Sequence, residues 1–152
     1  MMTDAHRWAV AAATFVAMAA LTGCGEAGAH STAPAQAAVQ WQEPARYSFV
    51  LDSTCGERAL IGRFRITVEQ GKVTKAEGLD ESARRAVENG PSDTAPTLRQ
   101  LLDELDEARQ ARADVAELSA DPSDGHPTKI TIDPAADSID DESCYAITEY
   151  AV

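Results

Sequence analysis

The sequence lacks an apolar run long enough to cross a bilayer as a helix. Its longest run, Trp8 to Leu21, has about 14 residues, whereas a spanning helix needs roughly 20. The run follows a short region with His6 and Arg7 and ends at a small-residue site before Cys24. This layout predicts a signal peptide over residues 1–23. The alternatives are an ordinary signal peptide that ends near a cysteine by chance, and a buried apolar helix.

The segment Leu21-Thr22-Gly23-Cys24 resembles the lipobox of bacterial lipoproteins. Small residues before the cleavage site let the backbone enter a peptidase, and the free thiol of Cys24 accepts a diacylglyceryl group to form a thioether. We therefore expect an acylated Cys24, with the lipid bilayer as its partner, on the extracytoplasmic face of the cell membrane. Residues 24–40 are rich in Gly, Ala, Ser, Thr, Gln and Pro, which predicts a flexible tether. Residues 41–152 are then a single domain.

Positive charge is scarce. Thirteen Lys and Arg face 25 Asp and Glu, which gives a formal net charge of -12. Nucleic acid and anionic lipid surfaces are both negative, so this balance argues against either as a partner. The simplest interpretation of the acidic balance is solubility.

The common catalytic motifs are also absent. The sequence has no Gly-X-Ser-X-Gly, no HExxH, no phosphate-binding loop and no CxxC. We therefore predict no catalytic activity and no cofactor. His126, in a turn between Gly125 and Pro127, would need a positioned partner to act as a general base, and Asp124 is the obvious one. A solvent-facing turn histidine is the favoured interpretation.

Two cysteines remain once Cys24 is acylated, in a compartment where disulfides persist. Cys55 and Cys144 can pair in one way, and the bond would close a loop of about 90 residues. The alternatives are two buried thiols or one reactive thiol. Neither cysteine has the nearby basic residues that mark a thiolate nucleophile, so we predict a disulfide.

Alternating apolar residues predict strands over Tyr47–Asp52, Arg63–Glu69 and Val73–Glu77, with a turn at Gln70-Gly71-Lys72 between the last two. A leucine stripe from Leu98 to Ala108 predicts the main helix, capped by Thr97 with Gln100 or by Thr94. Between Asp80 and Ala95 we expect a loop with partial helix, with a short helix around Ser82 to Val87 and a break at Asn89-Gly90-Pro91. The remaining predicted strands are Val115–Ala120, Thr128–Asp133 and Cys144–Tyr150. The expected fold class is α+β, with an antiparallel sheet of about five or six strands packed against one main α-helix.

Three smaller features carry alternatives. The acidic run before the last strand is a weak candidate for a calcium site at Asp137, Asp140, Asp141 and Glu142, but it lacks the EF-hand spacing, so we predict a solvated loop and no metal.

The arginines Arg58, Arg63 and Arg65 either form a basic patch or pair with Glu57, Glu69 and neighbouring carboxylates across the sheet. Trp41 is a staple for the tether or a contact for a partner.

Several segments together resemble an uncharacterised lipoprotein family common in actinobacteria. They are Tyr47-Ser48-Phe49, Cys55-Gly56-Glu57-Arg58, Asp121-Pro122-Ser123-Asp124-Gly125-His126, Asp140-Asp141-Glu142 and Ser143-Cys144-Tyr145. The resemblance covers nearly all of the mature domain and implies a location and a fold, but no activity. Many members of that family carry other residues at positions 121 and 126, which implies that Asp121 and His126 are not catalytic.

Three functional hypotheses follow. The first is a tethered binding or interaction module of the cell envelope, with an envelope protein or small molecule as its ligand. The second is an accessory envelope enzyme that uses His126 and the acidic residues. The third is a structural or inhibitor-like envelope protein. A pocket that converges on His126 and carboxylates would favour the second, whereas an exposed apolar patch or an open sheet face would favour the first.

Overall fold

A computed structural model describes residues 40–57, 59–90 and 95–152 of the chain. The predicted signal peptide, Cys24 and residues 24–39 of the predicted tether lie outside these ranges, as do Arg58 and Thr94. None of the helices in the described part is long and apolar enough to cross a membrane. The elements are β1 (Arg46–Ser53), β2 (Gly62–Glu69), β3 (Lys72–Gly78), α1 (Glu81–Asn89), α2 (Leu98–Ala111), β4 (Val115–Ala120), β5 (Pro127–Asp133) and β6 (Ser143–Ala151).

The six strands form one antiparallel sheet in the order β3-β2-β1-β6-β5-β4. The last strand therefore lies beside the first, at the centre of the sheet. In β1 and β2 the apolar residues stand in register, with Phe49 opposite Ile66 and Leu51 opposite Phe64. Because side chains alternate between the two faces of a strand, this register places the large apolar residues of both strands on the same face.

The predicted hairpin between β2 and β3 is confirmed. Glu69 pairs with Lys72, so the loop consists of Gln70 and Gly71 alone. Both residues have positive φ, 52° and 70°. That is the backbone of a tight hairpin turn whose twist matches the strands, and glycine adopts it at no steric cost.

The expectation of a sheet packed against one main helix is wrong. The described chain is mainly a six-stranded sheet with two helices, and both contribute to the one core on the same face of the sheet. Helix α1 packs on β2 and β3, whereas α2 packs on β4 and β5. Asp80 caps α1 by accepting a hydrogen bond from the Ala83 N–H at 2.7 Å.

Helix α1 has no stripe of large apolar residues in its sequence, because small residues make its contact with the sheet. Ala83 is its one fully buried residue. The helix backbone lies so close to β3 that a Cβ on Gly78 would meet the backbone nitrogen of Arg84 at 2.2 Å. A glycine facing an alanine thus replaces the large apolar side chains that usually mark a buried helix face.

Helix α2 has the cap and the buried stripe that the sequence predicts. Thr97 and Gln100 form a capping box, in which each side chain accepts a hydrogen bond from the other residue's backbone N–H. Leu98, Leu101 and Leu105 are fully buried. These three leucines of the stripe are therefore core, whereas Leu102 and Ala108 are partly buried and pack against it.

The predicted disulfide between Cys55 and Cys144 is present, with a Cα–Cα distance of 5.3 Å. This distance lies within the usual range for a bridge. The bond joins the loop after β1 to the start of β6 and spans 89 residues of sequence. In the chain-entropy model, a bond that closes a loop of this length stabilises the fold strongly, because the bond restricts the unfolded chain.

In the described part of the chain, neither helix packs on the opposite face of the sheet. Arg63 and Arg65 lie there and both pair with Glu149, at 3.6 and 2.5 Å. Their partner is thus a carboxylate of β6 rather than Glu57 or Glu69. Glu149 carries one negative charge for the two guanidinium groups, and Glu77 stands opposite Arg65 on β3. The two arginines therefore lie among carboxylates across the sheet.

Candidate functional site

The two ends of the sheet carry different groups. We call the end formed by residues 40–43, the turn 121–126 and Tyr150 the tether end, because the predicted tether enters the domain there. We call the end formed by residues 53–57 and 134–144, with the bridge between Cys55 and Cys144, the disulfide end. Strand β6 runs from the disulfide end to the tether end.

An aromatic cluster occupies the tether end. The Trp41 Nε1–H donates a hydrogen bond to the Tyr150 hydroxyl at 3.1 Å. The Trp41 ring meets Tyr47 edge-on at 5.7 Å, and Tyr47 stacks on Phe49 at 5.9 Å. Trp41 is half-buried and packs against the core. These contacts support the interpretation of Trp41 as a staple between the tether and the domain.

A β-bulge places Tyr150 in this cluster. Thr148 pairs with Val50 and Ala151 with Ser48, so Glu149 and Tyr150 of β6 stand opposite the single residue Phe49. Glu149 has a φ of 51°, a left-handed conformation that is uncommon outside glycine. The bulge turns the Glu149 side chain toward Arg63 and Arg65, on the face of the sheet opposite the two helices. It places the Tyr150 ring in the aromatic cluster.

Tyr47 links the cluster to the start of α2. Its hydroxyl donates to Glu43 Oε1 at 2.7 Å and accepts from the Leu98 N–H at 3.2 Å. Burial, together with the neighbouring Glu43 carboxylate, raises the pKa of the Tyr47 phenol well above its usual range. The phenol therefore stays neutral and keeps both hydrogen bonds at any physiological pH.

A groove of about 730 Å³ opens beside this cluster. Its walls come from residues 40–43, helix α2, strand β4 and the turn after it. Arg99 extends over the Trp41 ring at 5.5 Å from its centroid, and Arg109 pairs with Asp106 at 3.2 Å. Besides the Trp41 ring, the apolar part of the lining is Leu102, Leu118 and Ala120.

The turn that precedes β5 holds His126. The ring stacks on Tyr150 at 4.2 Å with an interplanar angle of 16°, and Nδ1 lies 2.6 Å from Asp124 Oδ1. The side chain is only 14% exposed. The structure thus places His126 against the aromatic cluster, in contrast to the expected solvent-facing histidine, and brings it to the carboxylate that sequence suggested as its partner.

Both aspartates of this turn are held in the ionised form. The hydroxyl of Ser123, followed by its backbone N–H, lowers the pKa of Asp121. The backbone N–H of His126, followed by its ring, lowers the pKa of Asp124. Hydrogen bonds to a carboxylate favour its charged form, which explains both directions.

The acidic candidates lie at the disulfide end. Asp137 and Asp140 are exposed, and the Asp140 carbonyl accepts a hydrogen bond from the Glu57 N–H at 2.9 Å. Within residues 40–57, 59–90 and 95–152, the carboxylates of Asp137, Asp140, Asp141 and Glu142 do not converge into a group of three metal-ligating side chains. The acidic residues that the enzyme hypothesis joined to His126 are therefore at the other end of β6.

A smaller pocket of about 300 Å³ lies between the end of α2 and the loop after β5. Its lining is mainly small residues with two glutamates, Glu104 and Glu107. Glu104 already accepts hydrogen bonds from the hydroxyls of Ser143 and Tyr145. The larger groove offers more space, an aromatic wall and charges of both signs, so it is the better candidate for ligand binding.

The fold and the groove define a class of protein: a small antiparallel-sheet domain with two helices on one face and a groove beside residues 40–43. Residues 31–152 match the model of a family of unknown function, DUF6174, so the chain belongs to that family. The resemblance seen in the sequence is confirmed to this extent. Searches among curated proteins and among solved structures found no match.

Proposed function

We propose that the protein is a lipoprotein of the actinobacterial type, anchored by an acylated Cys24 and exposed on the extracytoplasmic face of the cell membrane. The signal-peptide layout and the lipobox-like Leu21 to Cys24 support the anchor. The bridge between Cys55 and Cys144 supports an oxidising compartment. A tether of about 17 residues has a root-mean-square reach of roughly 23 Å, so the domain works close to the membrane.

The anchor has a direct genetic test. Replacing Cys24 with Ala removes the thiol that accepts the lipid, and lipidation precedes cleavage in this kind of export. We expect the Cys24→Ala variant to lose labelling by a radioactive or clickable fatty acid and to accumulate as uncleaved precursor. Labelling that persists in this variant would contradict the anchor.

The domain itself acts as a binding module without catalytic activity. The observation that carries this proposal is the groove beside Trp41. Its volume of about 730 Å³ lies within the range of roughly 300 to 1,000 Å³ typical of ligand sites. Its lining combines apolar side chains with charges of both signs, which suits a ligand that is itself amphipathic.

The position of the groove adds a second argument. Because residues 40–43 form part of its wall, the groove faces the region where the anchored chain enters the domain. A ligand held there lies near the membrane surface, where other envelope components are concentrated. Leu118, one of the few large apolar residues exposed on the described surface at 38%, lies in this wall.

Site-specific photo-crosslinking in native membranes tests the groove. A photoreactive amino acid at Leu118 reports on the groove, and one at Lys75 on the opposite edge strand β3 is the matched control. We expect a discrete adduct from position 118 that is absent from position 75 and weakened by Arg99→Ala. Equal adducts at both positions, or none at position 118, would contradict a binding groove.

One observation favours the alternative of an accessory envelope enzyme. Asp124 orients His126 at 2.6 Å, and Gly125 between them lines the groove. A carboxylate that orients an imidazole is a recurring element of general acid–base catalysis. In this alternative, His126→Gln abolishes turnover of the groove ligand and leaves its binding intact. In the binding-module proposal, the bound ligand is released chemically unchanged.

A further inference from the structure

We propose that Asp121, Asp124 and His126 together bind a divalent transition-metal cation of the Zn²⁺ class. One ligand atom from each of the three side chains lies within 4.8 Å of the others. All three residues belong to the turn between β4 and β5, so one local backbone conformation brings them together. This site goes beyond the proposed binding function, because it does not require a ligand in the groove.

The donor set selects the kind of cation. One imidazole nitrogen and two carboxylate oxygens suit zinc and its first-row neighbours, which accept mixed nitrogen and oxygen ligands. Calcium and magnesium prefer oxygen ligands alone and more of them than this turn provides. The two ionised aspartates supply two negative charges against the two positive charges of the cation.

The imidazole is oriented by residues outside the turn. Its ring stacks on Tyr150 of β6, and the Tyr150 hydroxyl is in turn fixed by the Trp41 N–H. With 14% of the side chain exposed, Nδ1 faces Asp124 instead of solvent. A ring held in one plane keeps the lone pair of its ligating nitrogen in a fixed direction, which favours metal binding.

Turn geometry alone explains only part of the arrangement. Asp121 and Asp124 each accept a hydrogen bond from the backbone N–H two residues on, as aspartates commonly do in turns. Those bonds leave the direction of the imidazole open. The stacking on Tyr150 is a long-range contact that fixes the plane of the ring while Nδ1 lies 2.6 Å from Asp124 Oδ1.

Binding requires a specific tautomer of His126. The proton must reside on Nε2, so that the Nδ1 lone pair is free for the cation. Without a cation, the short contact between Nδ1 and Asp124 Oδ1 suits the other neutral tautomer, in which Nδ1 donates to the carboxylate. Binding therefore moves the ring proton from Nδ1 to Nε2 by exchange with solvent, and the cation takes its place beside Asp124. Asp124 is 45% exposed, so water can complete the coordination that three protein ligands leave open.

Calorimetric titration with Zn²⁺ tests the site. The lipidated full chain, purified in detergent without a histidine tag, is titrated with zinc and separately with calcium. We expect one zinc ion per chain and no competition from calcium. His126→Ala and Asp124→Asn should each raise the zinc Kd at least about tenfold. Even the loss of a residue that only hydrogen-bonds to a metal ligand typically lowers metal affinity about 10- to 100-fold.

Two matched controls separate this site from adventitious binding. His30→Ala removes the other histidine of the processed chain, and Asp137→Asn removes an exposed carboxylate at the disulfide end. Both should leave the Kd unchanged. Near-ultraviolet circular dichroism without zinc checks folding, and Asp121→Asn, which preserves side-chain size, replaces any variant that fails to fold. Absent zinc binding, equal affinity in the site variants, or an equal loss in the controls would overturn the proposal.

Discussion

The two ends of the sheet are held together by different means. At the disulfide end a covalent bond joins β6 to the loop after β1, and the loop before β6 is acidic and largely exposed. At the tether end a set of stacked rings and hydrogen bonds joins Trp41, Tyr47, Tyr150 and His126. The groove lies at the second end. The covalent restraint thus lies at the end away from the larger groove, and the groove end relies on contacts that can adjust.

Removing the disulfide gives the largest expected loss of stability. A bridge over a loop of this length typically contributes about 2 to 4 kcal/mol, largely by restricting the unfolded chain. The Cys55→Ser, Cys144→Ser double variant should therefore melt well below the wild type, and dithiothreitol should reproduce the loss. Thiol titration of the native chain checks the starting state, and two reactive thiols at positions 55 and 144 would contradict the bridge.

A subtler change at the tether end gives a smaller effect. Tyr150→Phe keeps the ring but removes the hydroxyl that accepts the Trp41 hydrogen bond, at a cost of about 1 kcal/mol. Trp41 is the one tryptophan outside the predicted signal peptide, so its fluorescence reports on this contact. We expect a shifted emission maximum in Tyr150→Phe and an unchanged maximum in the folded disulfide variant. The same shift of the emission maximum in both variants would contradict the claim that the two ends are held independently.

Acid should weaken the hydrogen bonds that Asp80, Asp121 and Asp124 accept. Hydrogen bonds from the backbone N–H groups of Ala83 and Arg63 lower the pKa of Asp80, and similar bonds lower those of Asp121 and Asp124. A depressed carboxyl pKa contributes stability that is present above its unfolded value, near 3.9, and is lost as the pH falls through the folded value. Thermal melts between pH 6 and about pH 2 should show this loss. Asp80→Asn should flatten it, because the amide cannot be protonated in this range and can still accept the cap hydrogen bond.

Calcium gives the smallest expected effect. The carboxylates from Asp137 to Glu142 do not converge, so millimolar calcium should leave the melting temperature unchanged. A ligand that binds only the native state raises that temperature by mass action. An upward shift that Asp140→Asn abolishes would show that the disulfide end carries a cation site after all.

Local patterns predicted much of the fold. The alternation in β1 and β2, the Gln70-Gly71 turn and the capping box of α2 each depend on neighbouring residues, and the structure bears them out. The pairing of Cys55 with Cys144 was predictable because these are the two cysteines that remain once Cys24 is acylated. Helix α1 was underestimated because its buried contact uses Ala83 against Gly78, which leaves no large apolar stripe to detect.

The candidate site was harder to predict, because long-range contacts build it. Tyr150 reaches His126 and Trp41 through the bulge at Glu149, and nothing in the local sequence of β6 marks that bulge. The groove requires residues 40–43, α2 and β4 to lie together, which only the strand order provides. The sequence singled out Trp41 and His126 separately, but it offered no signal that they share one cluster.

Ligand recovery from native membranes tests most directly whether the groove at the tether end is the binding surface. The lipidated protein is recovered after mild crosslinking as wild type, as Leu118→Arg in the groove wall, and as Lys75→Glu on the far edge strand. We expect a partner or ligand that is retained by the wild type and Lys75→Glu and lost from Leu118→Arg. Retention by all three proteins, with Leu118→Arg folded, would contradict this expectation.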